Sequence, residues 1–315
     1  MNDSLKKIFP KSLSFFSFSL FFIFMLLSCT RGTESDILPQ GTIRDALGRN
    51  YVLNEKPLRI VSLNPAVTEI LFAIGAGEHI AGVTQFCDYP EEALGKRSMG
   101  GFSGAAMSME QIRSVEPDLV ILSADMHARI VALLDELKIS SFAVEPRNFT
   151  EVYDVIKLIG EITGFSDGAI SVITEMKNRI DRVEEYIQDK PRPSVFWILS
   201  EEPLMSVGSG SFVSEAIELG GGQNIFADIR EQWPLVSTEQ VLLRRPEWIL
   251  RELRHGGGGG DVQEFWRTLS IMRNVKTALV NPDALYRYGP RLAEGVESIA
   301  RILHGFDENY SGETP

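Results

Sequence analysis

Two cysteines, Cys29 and Cys87, in 315 residues are too few for a disulfide framework or a cysteine-rich zinc site. Histidine is as scarce: His79, His127, His255 and His304 are scattered, and no HxxxH or HExxH pair exists to seat a metal. Basic charge is short as well. Against 43 Asp and Glu stand 31 Lys and Arg, giving a net charge of −12, which argues against a nucleic-acid backbone as partner. Nucleotide and nucleophile signatures are absent or broken. No Gly-Lys-Ser/Thr follows a glycine loop, and Gly208-Ser-Gly210 has Val213 where a dinucleotide fingerprint needs its third glycine. Gly101-Phe-Ser103-Gly-Ala105 misses the nucleophile elbow by one place. No catalytic residue and no metal ligand is assigned.

What is present is ordinary globular composition, 44% hydrophobic and 23% charged, at a length that suits two lobes. Residues 1–28 stand apart from it. Lys6, Lys7 and Lys11 precede an uncharged stretch, Ser12 to Leu27, with six phenylalanines, and Leu26-Leu27-Ser28-Cys29 closes it. That is a secretory pattern, too short for a convincing spanning helix. A cysteine after Leu-x-small resembles a bacterial lipobox, in which Cys29 is lipidated and becomes the first residue. Acyl chains then hold a soluble domain at a membrane, each buried CH₂ contributing about 0.8 kcal/mol. A plain secretory signal with a coincidental cysteine is the alternative. Residues 29–40 read as a tether.

The mature chain alternates strands and helices. Gly41 to Leu53 reads as a short hairpin; Arg59–Leu63, Ile80–Val83, Asp118–Leu122 and Ser141–Val144 as strands; Thr68–Gly75 and Arg129–Leu137 as helices. From Ser166 to Asp189, Ile170, Ile173, Ile180, Val183 and Ile187 recur at helical steps, with Ser166 and Asp167 as caps and Pro191 as the stop. At about 22 residues this helix spans ~33 Å, enough to pass from one lobe to another. The alternation then restarts: Ser194–Leu199, Trp248–Leu250 and Ala278–Val280 as strands, Phe212–Leu219, Thr238–Leu243 and Leu292–Leu303 as helices. The second half repeats the first in organisation, with no evident sequence repeat. The expected fold is α/β: lobes at 41–165 and 191–315, Rossmann-like, joined by the helix at 166–190.

Aromatic and polar residues gather just after strands. Phe86 and Tyr89 follow the Ile80–Val83 strand, Phe102 lies beyond a Gly-Gly turn, Trp233 stands in the Glu231-Gln-Trp-Pro loop, and Tyr286 and Tyr288 follow the last strand. Ligands of open α/β sheets bind outside the carboxyl ends of strands. Each ring alone is also ordinary half-buried packing; as a set on both lobes they suit a flat-walled cleft for a large planar ligand.

Longer runs carry a family resemblance. Arg59-Ile-Val-Ser-Leu-Asn-Pro-Ala-Val-Thr-Glu-Ile-Leu-Phe-Ala-Ile-Gly-Ala-Gly77, then Gly82-Val-Thr and Cys87-Asp-Tyr-Pro90, resemble the opening of a periplasmic substrate-binding protein. The group in question serves ABC importers for cobalamin, haem and ferric siderophores. Met109-Glu-Gln-Ile, Glu116-Pro-Asp-Leu-Val-Ile121, Gly221-Gly-Gln-Asn-Ile-Phe226 and Trp233-Pro-Leu-Val-Ser-Thr-Glu-Gln-Val241 extend the match over roughly residues 40–305. Phe-Cys-Asp-Tyr-Pro and the Gly-Gly-Gln-Asn-Ile-Phe to Trp-Pro stretch are most similar to the vitamin B12-binding branch.

The resemblance implies a cleft between two lobes that takes cobalamin as cargo, with no cofactor of the protein's own. It places Phe86, Phe102 and Trp233 on aromatic positions of that cleft and Asp283 and Arg287 on a polar loop lining it, with Tyr286 beside them. Ser123 departs from members that carry a tryptophan there, which removes stacking area. Glu110 and Glu239, one per lobe, match glutamates that pair with permease arginines. The implied partners are an ABC permease and its ATPase, with the membrane reached through the lipid anchor and the chain monomeric on the extracytoplasmic side. Haem or a ferric siderophore is the alternative cargo, with Tyr286 or Tyr288 as an axial ligand or Arg287 as a hydroxamate donor. From other classes stand a lipid-anchored hydrolase using Ser103 or Ser209, and a purely structural lipoprotein.

Overall fold

The computed structural model describes residues 41–53, 56–101, 103, 106–252 and 274–307. The leader, Cys29, the tether, Phe102 and the glycine run at 256–260 lie outside the described residues. Among the described residues no helix is long and apolar enough to cross a membrane.

Strands β1 (Thr42–Arg44) and β2 (Asn50–Val52) pair as the expected hairpin. Then β3 (Ile60–Ser62), wholly buried, runs into α1 (Pro65–Ala73). The helix starts earlier than Thr68 because Asn64 caps it: its Oδ1 accepts the Ala66 N–H at 2.8 Å, and Pro65, lacking an N–H, fits the first turn. After β4 (Ile80–Val83) come α2 (Met109–Ser114), β5 (Leu119–Ser123), α3 (Ala124–Glu136) and β6 (Ser141–Val144). The next helix, α4 (Phe149–Thr163), was not expected, although Asn148 caps it and Gly164 ends it in the left-handed region at φ 79°. The long helix α5 (Ser166–Ile187) follows at once. Ser166 and Asp167 do not cap it. Phe165 takes the cap position with no side-chain acceptor, and its own N–H closes α4 on the Gly160 carbonyl at 2.8 Å.

The second half contains β7 (Ser194–Ile198), an antiparallel pair β8 (Ser200–Glu201) and β9 (Leu204–Met205), α6 (Phe212–Leu219), β10 (Gln223–Asn224) and α7 (Thr238–Arg244). It closes with β11 (Trp248–Glu252), β12 (Lys276–Val280), α8 (Asp283–Tyr286) and α9 (Leu292–His304).

Two four-stranded parallel sheets result, ordered β4-β3-β5-β6 and β10-β7-β11-β12. In order of appearance each reads 2-1-3-4, the doubly wound arrangement, once per lobe. The halves also share a sequence repeat that was not evident in the chain alone. Ser108-Met-Glu-Gln-Ile112 aligns with Ser237-Thr-Glu-Gln-Val241, and Glu116-Pro-Asp-Leu-Val-Ile121 with Arg245-Pro-Glu-Trp-Ile-Leu250, at one constant offset. Glu116 and Arg245, each before its proline, both adopt positive φ, 43° and 48°. Proline bars its predecessor from the right-handed helical region, so α2 and α7 end through the same turn into the third strand of their sheets.

Strand side chains sort by twos. Ile60, Ile121 and Phe142 of the first sheet, and Val195, Trp197 and Leu250 of the second, join one core that also takes the apolar face of α5. Val61, Val120, Leu122 and Ala143, and on the other sheet Phe196, Ile198 and Ile249, point the opposite way into separate cores. Helix α5 is fastened at both ends. Near its start a Cβ on Gly168 would lie 2.1 Å from the Ile74 carbonyl oxygen of the first lobe. Further along, Arg179 bonds the buried Glu297 of α9 through Nε at 3.0 Å and Nη2 at 2.5 Å, and the Tyr186 hydroxyl donates to the His304 carbonyl at 3.1 Å.

Candidate functional site

In a 2-1-3-4 sheet the first and third strands lie side by side while the chain leaves their carboxyl ends toward opposite faces, opening a crevice there. On the first lobe that edge carries Asn64, the Thr84–Tyr89 loop, Ser123 with Asp125, and Glu145. On the second it carries Glu252 and the Asp283–Tyr288 segment.

The two edges meet through a polar junction. The Asn64 side-chain amide donates to the Tyr288 hydroxyl at 2.8 Å. Glu69, in the middle of α1 with its side chain 1% exposed, accepts Arg287 Nη1 at 3.1 Å on Oε1, and Arg291 at 2.9 Å on Oε2 and 2.5 Å on Oε1. Arg287 also bonds Asp88 at 2.6 Å and pairs with Asp283 at 3.8 Å. Arg291 lies over the Tyr89 ring, 4.1 Å from its centroid. Beside these, the Phe149 N–H donates to Glu215 at 3.0 Å, and the Phe149, Phe212 and Tyr288 rings pack in sequence at 6.3 and 6.4 Å.

Charge explains the titration of these groups. Partial burial pushes the Asp88 carboxyl up, but the guanidinium bonded to it prevails and holds its pKa below the usual value. Arg287 is opposed by the same burial and held more firmly charged by Asp88 and Glu69. Burial drives the Tyr288 phenol well above its usual range, with the Glu145 charge acting the same way.

The aromatic part of the site centres on Tyr286. Its ring meets Trp233 edge-on at 5.8 Å; its hydroxyl accepts the Trp197 indole N–H at 3.2 Å and donates to Glu252 at 2.6 Å. Phe86 is 48% exposed and Trp233 39% exposed. Of the residues singled out in the sequence, the structure therefore brings together Trp233 with Tyr286, and Asp283 with Arg287. Phe86 stands two residues from Asp88 and is linked through it to Arg287. Phe102 lies outside the described residues.

Both tyrosine hydroxyls considered for iron are already engaged, and Arg287 is surrounded by three carboxylates. Among the described residues no cluster of His, Cys, Asp and Glu is arranged to hold a metal. Ser209 gives its hydroxyl to the Ile229 carbonyl at 3.1 Å, and buried His127 accepts the Ser123 N–H on Nδ1 at 3.1 Å.

Glu110 and Glu239 are exposed and occupy the same place in the repeat, the second position of α2 and α7. Ser108 and Ser237 cap the two helices, accepting the Gln111 and Gln240 N–H groups at 3.2 and 3.3 Å. Hydrogen bonds from the Ser237 side chain and its own backbone lower the Glu239 pKa. A helix that leads into a parallel strand runs against it, so both glutamates sit toward the carboxyl edges of their sheets.

Sequence reasoning missed Glu69, Asn64 and Asp88. Glu69 had a signal: a carboxylate inside the apolar run Ala66-Val-Thr-Glu-Ile-Leu71 must be paired once that helix is buried.

The sequence matches the periplasmic binding protein family over residues 60–278. It is 28% identical over 279 residues to an ABC transporter substrate-binding lipoprotein, YvrC, of Bacillus subtilis (strain 168), covering 86% of this chain and 87% of that protein. It is 30% identical over 248 residues to a vitamin B12-binding protein of Vibrio cholerae serotype O1, covering 78% and 88%. Among solved structures, the periplasmic vitamin B12-binding protein BtuF of Vibrio cholerae superposes with a TM-score of 0.67 at 28% identity, over 78% of this chain and 95% of that one.

Proposed function

The chain belongs to the periplasmic binding protein family, and from that premise we propose that it captures a corrinoid, cobalamin, between its two lobes and delivers it to an ABC importer. The observation that carries this reading is the pair of half-exposed rings, Phe86 on one lobe and Trp233 on the other, at the carboxyl edges of two doubly wound sheets. A corrin presents two broad faces, and aromatic walls desolvate both with little loss of side-chain entropy. Asp283, Tyr286 and Arg287, with Phe102, complete the lining in this reading. Arg287, bound by three carboxylates, serves there by holding the lobes, and Tyr286 by holding Trp233.

Capture is the whole of the protein's own chemistry; the permease's ATPase supplies the energy. Glu110 and Glu239 are the docking charges, one per lobe, and Cys29 the lipidated anchor that keeps the monomer at the extracytoplasmic face. The division into a leader at 1–28, a tether at 29–40, lobes at 41–165 and 191–315 and a connecting helix at 166–190 follows the same reading. Because α5 is locked to both lobes, closure on the ligand is small.

The test is titration of the purified protein with cyanocobalamin, haemin and a ferric hydroxamate in separate calorimetric and visible-absorption experiments. Saturable 1:1 binding of cyanocobalamin, weakened by about 1–3 kcal/mol in Trp233→Ala, is the expected result. A coloured haemin complex with no response to cobalamin would replace the corrinoid with haem. For the anchor, Cys29→Ser should release the protein from membranes or leave it unprocessed; unchanged detergent partitioning together with unchanged mobility would remove lipidation from the proposal.

A further inference from the structure

We infer that Glu69 is a positioning residue: from inside α1, with its side chain all but buried, it sets the distance between the Phe86 and Trp233 walls. The inference rests on the cleft reading above and deepens it. One buried carboxylate takes two arginines from the other lobe, with three bonds between 2.5 and 3.1 Å. Arg287 passes the restraint on in two directions. Through Asp88, at 2.6 Å, it holds the loop that carries Phe86. Through its own backbone it fixes Tyr286, the preceding residue, whose ring supports Trp233 at 5.8 Å.

On the α5 side of Glu69 the lobes do not close up completely. A pocket of about 290 Å³ opens beside Glu69, lined by Ala73 and Tyr89 of the first lobe, Val172 and Met176 of α5, and Arg291. Glu69 and Arg291 line this opening, and their directional bonds add a restraint on lobe spacing to the ring packing of Phe149, Phe212 and Tyr288. Neutralising Glu69 removes the first lobe's charge that both second-lobe guanidinium groups hold, so the attraction that draws the lobes together at this point is lost.

The experiment uses ligand-free protein first. Spin labels at Glu92→Cys and Glu231→Cys, in a Cys29→Ser background, report the distance between lobes by pulsed electron resonance. Glu69→Gln should lengthen and broaden that distance, and Glu69→Asp, which keeps the charge, should recover part of the change. Asp88→Asn cuts the same link from its exposed end and should shift the distance in the same direction, so the outcome does not depend on Glu69→Gln folding. The labelled variants should then bind cyanocobalamin about tenfold more weakly, through faster dissociation. An unchanged distance in Glu69→Gln and Asp88→Asn overturns the positioning role, and so does a changed distance with wild-type affinity. A wild-type protein that ignores cyanocobalamin overturns the corrinoid reading instead, while the distances alone still decide what Glu69 does.

Discussion

At the scale of single residues, the site is built from polar atoms that each join two partners. Tyr286 shows the cost of removing one. Its hydroxyl stands between the indole N–H of the fully buried Trp197 and the Glu252 carboxylate. Tyr286→Phe keeps the ring against Trp233 but leaves that N–H in apolar surroundings without its acceptor. Urea unfolding should show a loss of about 1–3 kcal/mol, the desolvation penalty of one stranded donor. A stability within a few tenths of wild type would mean that another acceptor, or water, reaches the indole. Asp88 offers a pH test with a definite sign. Its pKa is lowered in the folded protein relative to its ordinary 3.8 by the bond to Arg287, so the stability it contributes is full above that value. This contribution fades as pH falls through the lower, folded value. Thermal midpoints of wild type and Asp88→Asn should therefore differ at pH 7 and converge in strong acid. A gap that stays constant with pH would show that the ion pair adds nothing. Both residues illustrate the limit of the chain alone: spacing marks Tyr286 as a loop aromatic, but its partners Trp197 and Glu252, and Arg287 as the partner of Asp88, are too far off in sequence to be announced by it.

At the scale of elements, strands and caps were the legible part. The strand over Ile80–Val83 and the helix over Phe212–Leu219 fall where the sequence puts them, the strand because it is a short apolar run buried almost throughout and the helix because it buries one regular face. Helix α4 is the element that the sequence reading lacks, although Asn148 and Gly164 mark its ends and it leads into α5 within three residues. The repeat linking α2 to α7 was hidden for another reason. It resides in four polar or turn positions, Ser, Glu, Gln and Pro, while the apolar residues between them differ freely, as cores tolerate. Gly168 is an element-level requirement that only packing shows. In an exposed helix, alanine would be better than glycine by about 1 kcal/mol. Here the new Cβ meets the Ile74 carbonyl oxygen, a backbone atom that has no rotamer to escape into. Overpacking costs about 1–3 kcal/mol, so the clash outweighs the helical gain and Gly168→Ala should destabilise. Gly95→Ala, where nothing lies within 4 Å, is the control and should leave stability within about 0.5 kcal/mol. Equal midpoints for the two variants in urea would show that α5 can shift without cost.

At the scale of the whole molecule, the same 2-1-3-4 sheet occurs twice, and each copy has an equivalent helix start with an exposed glutamate, Glu110 or Glu239. A charge on each lobe fixes orientation as one charge cannot, since a single pair leaves the protein free to pivot. Rim charges of this kind govern encounter and register more than ligand capture. Reversing both, Glu110→Lys with Glu239→Lys, sets like charge against the permease arginines that the proposed docking requires. Close interfacial charge pairs couple by about 1.5–7 kcal/mol in favourable cases, enough to abolish productive docking when two are inverted. Neither side chain bonds into the Glu69–Arg287 junction or the Tyr286 cluster, so cobalamin affinity should stay within about twofold of wild type, some 0.4 kcal/mol. A single reversal should reduce uptake without ending it, because the other lobe still docks. Calorimetry on the purified double variant and radiolabelled cobalamin uptake in cells expressing it check the two halves separately. Binding retained with uptake lost is the expected dissociation. Normal uptake by the double variant would strip both glutamates of their docking role while leaving capture untouched, and loss of both functions together would place the charges in the cleft rather than on the rim.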